Sequence, residues 1–468
     1  MVFSSFVFLL AFLPIVLLLY YLCPARLRNL VLLVFSLVFY AWGEPVYVLI
    51  MLFSIVFDYA NGRLIEHFKN KNCPGKAKAA LIVDLCGNLA ILGFFKYTDF
   101  VIGSINSITG AGLSLLHIAL PIGISFYTFQ TMSYTIDVYR GEVAAQKNIL
   151  TFATYVTLFP QLIAGPIVQY KTVEKELMHR KVTLEDFSEG AFRFSVGLAK
   201  KVLLANQIGS LWDSISQLNH MSVATAWLGA IAYSFQIYFD FSGYSNMAVG
   251  LGKTLGFDFP ENFDYPYSAH GIRDFWRRWH MSLTGWFREY LYIPLGGNRK
   301  GRARQILNTM IVFAATGIWH GANLTFILWG LMHGILMCVE TLIFKRRKLK
   351  SPAAWLYTII IVIIGFVIFR ADSVGYAFAY IGRMFSFVTE ASAMTVTLSV
   401  LTPVFIATFT AAVVMMFPVV PAIRRRLDGR PSYAAVNTLC YIAMFGLYFL
   451  CVLTLAADSY NPFIYFRF

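Results

Sequence analysis

The chain has 468 residues, of which 58% are hydrophobic and only 13% charged. Charged residues make up about a quarter of an ordinary soluble domain, so this composition excludes a soluble globular protein and requires a polytopic membrane protein. The net charge of +14 falls in short patches between apolar runs, which points to a lipid bilayer and not to nucleic acid.

In chain order, apolar runs occupy 2–22, 28–42, 45–60, 79–95, 117–136, 149–168, 190–218 and 222–250. Further runs follow at 306–319, 324–344, 353–369, 396–420 and 433–456. A span needs roughly 20 apolar residues, and shorter or broken ones are tolerated inside protein, so about ten to twelve helices at membrane depth are expected. The expected fold is all-α, with a single integral-membrane domain over 1–468. The first run has no basic residue ahead of it and no small-residue cleavage signal after it, which reads as a retained span. The six cysteines (Cys23, Cys73, Cys86, Cys338, Cys440 and Cys451) form no close pairs, and no metal site is expected.

Of the 38 lysines and arginines, 33 lie in patches: Arg26 and Arg28, 63–78, Arg140 and Lys147, 171–181, Lys200 and Lys201, 253–304, 345–350 and 424–430. Basic connections face the cytoplasm, so these mark the inner side, while 42–45, 103–112 and 371–375 carry little charge and face out. The basic cluster at 423–430 is then inside, and one apolar run later the tail 458–468 emerges on the extracytoplasmic side. That tail ends PFIYFRF, which composition alone reads as an interfacial aromatic anchor.

Two apolar stretches carry polar groups. Residues 120–141 hold Ser125, Tyr127, Gln130 and Asp137, and 235–257 hold Gln236, Asp240, Ser242, Tyr244, Ser245 and Asn246. Asp240 has no adjacent basic residue, so it pairs across helices or lines water. Together these groups suggest a polar cavity in the bundle, although each taken alone is also explained as glue between helices.

Residues 257–304 form a long polar connection in which Phe275, Trp276, Trp279, Leu283, Trp286, Phe287 and Tyr290 recur at helical spacing. This predicts an amphipathic helix on the cytoplasmic face. Arg277 and Arg278, followed by Gly296, Gly297 and a basic run, could receive the phosphates of a nucleotide-bearing donor. Next, 311–330 places His320 in an otherwise apolar stretch, between Gly317 and Gly321, beside Trp319 and one turn before Asn323. An ionisable group at membrane depth marks a pathway or a site, and imidazole suits proton abstraction near neutrality. His320 is therefore ranked first as a catalytic residue, His280 second, and His333 and His270 well behind.

Five stretches carry a family resemblance: 120–141, LFPQLIAGPIVQY at 158–170, 240–267, RDFWRRWHMSLTGWFREYLYIPLGG at 273–297, and IWHGANLTFILWG at 318–330. Together the chain resembles the membrane-bound O-acyltransferases (MBOAT), closest to the bacterial AlgI/PatA-like O-acetyltransferase branch, which is related to the D-alanyl transferase DltB. The resemblance implies a helical bundle around a tunnel, in the bacterial cytoplasmic membrane. It implies acyl transfer from a cytoplasmic thioester, acetyl-CoA, to an extracytoplasmic acceptor, with no bound cofactor. His320 matches the family histidine, and His280 takes a secondary role. Gln236, Asp240, Tyr244, Asn246, Arg277, Arg278, Trp319 and Asn323 are then expected to bind the donor or line the tunnel. The tail resembles the C-terminus of a small D-alanylation subunit, which makes Tyr465 a candidate acyl relay. The chain has no soluble transferase domain of its own, so an extracytoplasmic serine-dependent (SGNH-like) partner is expected to acetylate a polysaccharide such as alginate or peptidoglycan. The alternatives are D-alanyl transfer to teichoic acid from a charged carrier protein, or a multi-span transporter or flippase. Internal repeats would favour a transporter, and the sequence shows none.

Overall fold

The structure is a computed structural model. It describes residues 1–216, 218, 221–344, 350–386, 395, 397–399, 401–427, 430, 432–457 and 460–464. It is 77% helical, with no strand among the described residues. In chain order the helices that matter below are α1 (Val48–Asn70), α2 (Pro74–Thr109), α3 (Ile124–Arg140), α4 (Leu184–Ala199), α5 (Val223–Thr254) and α6 (Met281–Phe287). They are followed by α7 (Arg302–His320), α8 (Leu324–Ile343), α9 (Pro352–Arg370) and α10 (Ser432–Ala457).

Among the described residues, five helices are long and apolar enough to cross a membrane: α1, α2, α8, α9 and the bulk of α10. The bent pair Pro403–Met415 and Val419–Leu427 would make six. The remaining expected spans are shorter or too polar to qualify. Val7–Leu22 is a shorter apolar helix, α3 has 17 residues, and α5 carries Gln236, Asp240 and Asn246 mid-helix. Such segments are stable at membrane depth when neighbouring protein satisfies their polar groups.

The chain divides into two compact units. One comprises Met1–Ala191 with Ala248–Pro260, and the other Phe192–Met247 with Glu261–Phe468. In the first unit, Phe3, Phe8, Phe12, Phe39 and Phe159 form an aromatic cluster. There α1, α2 and α3 are tied by buried hydrogen bonds: Asn88 Nδ2 donates to Asp58 Oδ1 at 2.6 Å and Thr135 Oγ1 to Asp84 Oδ2 at 2.6 Å. Ser125, Tyr127, Gln130 and Asp137 are buried on α3 of this unit.

The second unit holds the histidines of interest. Its α7–α8 hairpin closes tightly on glycines, since a Cβ at Gly317 would stand 2.4 Å from the carbonyl oxygen of Phe326 and one at Gly330 2.3 Å from that of Phe313. A second close crossing joins α4 to α5, where a Cβ at Gly197 would meet the carbonyl of Gly243 at 2.5 Å. Small residues at both crossings let backbones touch, the usual device where lipid supplies no hydrophobic drive between helices. Beyond α4 the chain continues through a wider π-helical stretch, Lys200–Ala205, into Asn206–Ser216. Such stretches re-aim side chains and are frequent at functional positions.

Residues 257–304 do not form one amphipathic helix. They fold as Pro266–Ser268, Ile272–Trp276, α6, Arg288–Tyr292 and a glycine turn. His280 stands at the start of α6 with φ 45°, a left-handed conformation that interrupts helical geometry. The aromatic stripe is consequently buried in protein, with Phe275, Trp276, Trp279 and Trp286 all at most 5% exposed.

Candidate active site

The N-terminus of Ile272–Trp276 is anchored by two membrane helices. Glu340 of α8 accepts the backbone N–H of Ile272 at 2.6 Å and of Arg273 at 3.1 Å. Thr358 Oγ1 of α9 accepts that of Gly271 at 2.6 Å. Both acceptors are buried, and they satisfy donors that a helix start otherwise leaves open. The anchored helix carries Trp276 and leads into Arg277 at the wall of a cavity of about 740 Å³. This volume suits a drug-sized ligand.

Four arginines line this cavity, Arg273, Arg277, Arg288 and Arg302, and no acidic residue does. Arg277, Arg288 and Arg302 are exposed, while Arg273 lies 3.6 Å from the Glu340 carboxylate. The turn beside the cavity needs glycine at Gly296 and Gly297, with φ of 105° and 54°. Asn308 on α7 holds it, donating to the carbonyls of Leu295 and Gly297. Arg278 does not line the cavity. It is paired instead with Asp274 at 3.3 Å and Asp264 at 3.4 Å.

Phe313 and Thr316 carry the cavity wall along α7. His320 follows Thr316 by four residues on the same helix, a rise of about 6 Å. It is 6% exposed and ringed edge-on by Trp319, Trp329 and Phe369, with centroids 5.0, 5.2 and 5.1 Å away. Trp276 bridges the two regions. It lines the cavity, packs on Trp329 at 5.6 Å and donates from Nε1 to His333 Nδ1 at 3.3 Å. The glycines beside His320 serve packing: Gly317 admits the α8 backbone and Gly321 the ring of Phe326, 2.3 Å from a Cβ there.

His280 also neighbours Trp319, with ring centroids 6.1 Å apart, and lies against Phe241 at 4.8 Å. Its Nδ1 is 3.1 Å from Asn262 Oδ1. That oxygen also accepts the backbone N–H and hydroxyl of Ser282. A main-chain N–H can only donate, so this atom is the carbonyl oxygen, and His280 carries its proton on Nδ1 with Nε2 as the acceptor. Burial holds its pKa down from 6.5 to about 3, so it is neutral at physiological pH.

The family model for the membrane-bound O-acyltransferases, MBOAT, matches residues 140–371. The chain is 41% identical over the whole of both chains to the probable alginate O-acetylase AlgI of Pseudomonas putida. It is 36% identical, over 80% of this chain and 77% of the relative, to the peptidoglycan O-acetyltransferase of Helicobacter pylori. A teichoic acid D-alanyltransferase of Bacillus subtilis is 28% identical over 48% of this chain and 60% of its own length. The chain belongs to the membrane-bound O-acyltransferase family. This MBOAT protein is accordingly a multi-pass membrane enzyme, an O-acyltransferase.

The other residues expected at the site sit as follows. Gln236 is buried against Gly209, where a Cβ would meet its Nε2 at 2.2 Å. Asp240 pairs across helices with Lys201 at 2.6 Å. Tyr244 packs on Phe463 with centroids 4.7 Å apart, and Asn246 is half-buried further along α5. Asn323 caps α8, accepting the N–H of Thr325 at 3.0 Å and donating to the carbonyl of Asp372 at 2.9 Å. His333 is hydrogen-bonded as above, and His270 offers its main-chain N–H to Asp274. Tyr465 lies outside the described residues. Sequence reasoning missed Lys201, read as part of an inner-side patch but only 2% exposed, and also Glu340 and Asn262. The signal for Glu340 was present: a lone acid in the apolar run 324–344.

Proposed function

We propose that this MBOAT protein transfers an acetyl group from acetyl-CoA, bound on the cytoplasmic side of the bacterial inner membrane, toward an extracytoplasmic partner that O-acetylates a surface polysaccharide. The observation that carries the proposal is the arginine-lined cavity whose wall runs along α7 to within one turn of His320. Arg277, Arg288 and Arg302 hold the donor phosphates, since guanidinium groups bind phosphate bidentately. The acyl end reaches the aromatic chamber, where His320 accepts the proton of the attacking hydroxyl as its oxygen bonds to the thioester carbon. The C–S bond breaks, and the thiol leaves with the proton returned from the imidazole. A positioned base contributes about 10² to 10⁴ in rate. His280 is a second, neutral imidazole facing Trp319. The hydroxyl is that of Tyr465, which carries the acetyl group to a serine-dependent partner. The polymer is of the kind named for the relatives, alginate or peptidoglycan.

Purified protein incubated with radiolabelled acetyl-CoA should release free thiol and retain label on the chain, and Tyr465→Phe should lose the retained label. Full acetyl export by cells carrying Tyr465→Phe would remove the relay. Unchanged polymer acetylation by His320→Ala would remove the base.

A further inference from the structure

The main chain of the C-terminal segment is held by a buried ion pair that the sequence did not reveal. Lys201 and Asp240, each 2% exposed, stand 2.6 Å apart. Lys201 Nζ also donates to the carbonyl of Pro462. Asp240 Oδ2 accepts the N–H of Ile464 at 2.8 Å. Around this pair, Asn206 Nδ2 donates to the carbonyl of Tyr460 and to Asn461 Oδ1, both at 3.2 Å. The Tyr460 hydroxyl donates to Asp213 Oδ2 at 2.6 Å. Phe463 and Ile464 are 8% and 7% exposed.

Two charges withdrawn from water are stable only if their remaining donors and acceptors are also satisfied. Here two of those partners are main-chain groups of residues 462 and 464. The pair and the segment therefore complete each other. The glycine crossing of α4 on α5 brings the lysine within reach, and the π-helical stretch begins at Lys200. Recognition through main-chain groups fixes the register of the segment whatever the side chains do.

We propose that Lys201 and Asp240 are positioning residues that form a receptor for the chain's own C-terminal segment, fixing Tyr460–Ile464 and so setting where the residues beyond Ile464 are delivered. The catalytic consequence rests on the relay role proposed for Tyr465, whereas the docking does not.

The test uses the full-length protein in nanodiscs and reads amide hydrogen exchange at 460–464 alongside acetyl transfer. The neutral double variant Lys201→Met with Asp240→Leu leaves no lone buried charge. It should remain folded, while exchange at 460–464 accelerates at least about tenfold, the effect of losing one hydrogen bond to a charged group. The single variant Lys201→Arg, with Asp240 kept, should retain protection. A folded double variant with unchanged protection would overturn the receptor. If the double variant does not fold, a chain ending at Ala457 gives the converse reading. Lys201 should then become reactive toward an amine-acylating reagent, and equal protection with and without the segment would count against the proposal. Tyr465→Phe separates the two ideas: protection at 460–464 should persist while transfer is lost, and retained transfer would sink the relay but leave the receptor standing.

Discussion

His280 is a buried imidazole that must stay neutral, and this gives a pH signature. Its folded pKa of about 3 lies below the unfolded value of 6.5. Its contribution to stability is therefore complete above pH 6.5 and is lost progressively as pH falls toward 3. At pH 5 the loss is about 2 kcal/mol. Thermal unfolding followed from pH 7 to pH 5 should show a fall in Tm for the parent and a smaller one for His280→Gln, whose amide can still donate to Asn262. At the cavity, Arg277 is exposed and its charge is not spent on an acid there. Arg277→Ala should raise KM for acetyl-CoA about tenfold or more with kcat nearly kept, because the contact serves ground state and transition state alike. His320 drew notice in the sequence because an ionisable residue in an apolar run is costly, and the structure buries it among aromatic rings. The partners that fix His280 and Asp240, namely Asn262 and Lys201, were not legible. They lie 18 and 39 residues away in the chain and meet them only through packing.

At the scale of elements, glycine spacing decides how closely helices approach. A methyl group at Gly317 would stand 2.4 Å from a backbone oxygen that cannot swing aside, whereas one at Gly93 on α2 would meet nothing within 4 Å. Gly317→Ala should cost about 1 to 3 kcal/mol, as overpacking does. Gly93→Ala should be neutral or slightly stabilising. Melting temperatures in one detergent would compare them. The run 257–304 shows where periodicity misleads. Its aromatic spacing is helical, yet the left-handed residue His280 and the turn at Gly296 and Gly297 divide it, and no 3.6-residue pattern reports a positive φ. The all-α class and α7 to α9 were legible, because long apolar runs between charged connections leave few alternatives. The shorter and more polar helices were also marked by their apolar runs, but the partners that satisfy their polar groups were not legible, since those partners are distant in the chain.

For the whole molecule, the proposed direction of transfer requires the arginine-lined cavity to face the cytoplasm and the sparsely charged connections to face out. In a cysteine-free background, a membrane-impermeant maleimide applied to intact cells should label Ser107→Cys, and should label Arg299→Cys only after permeabilisation. The reverse pattern would invert the topology and with it the side of the donor. The central claim is that His320 performs acyl transfer from a donor held by the arginines. Its most direct test is single-turnover release of free thiol from acetyl-CoA by purified protein, comparing parent, Arg277→Ala and His320→Ala at saturating donor. The expected result is near-parental release for Arg277→Ala and a loss of about 10² to 10⁴ for folded His320→Ala. Thiol release by His320→Ala at the parental rate would contradict the claim.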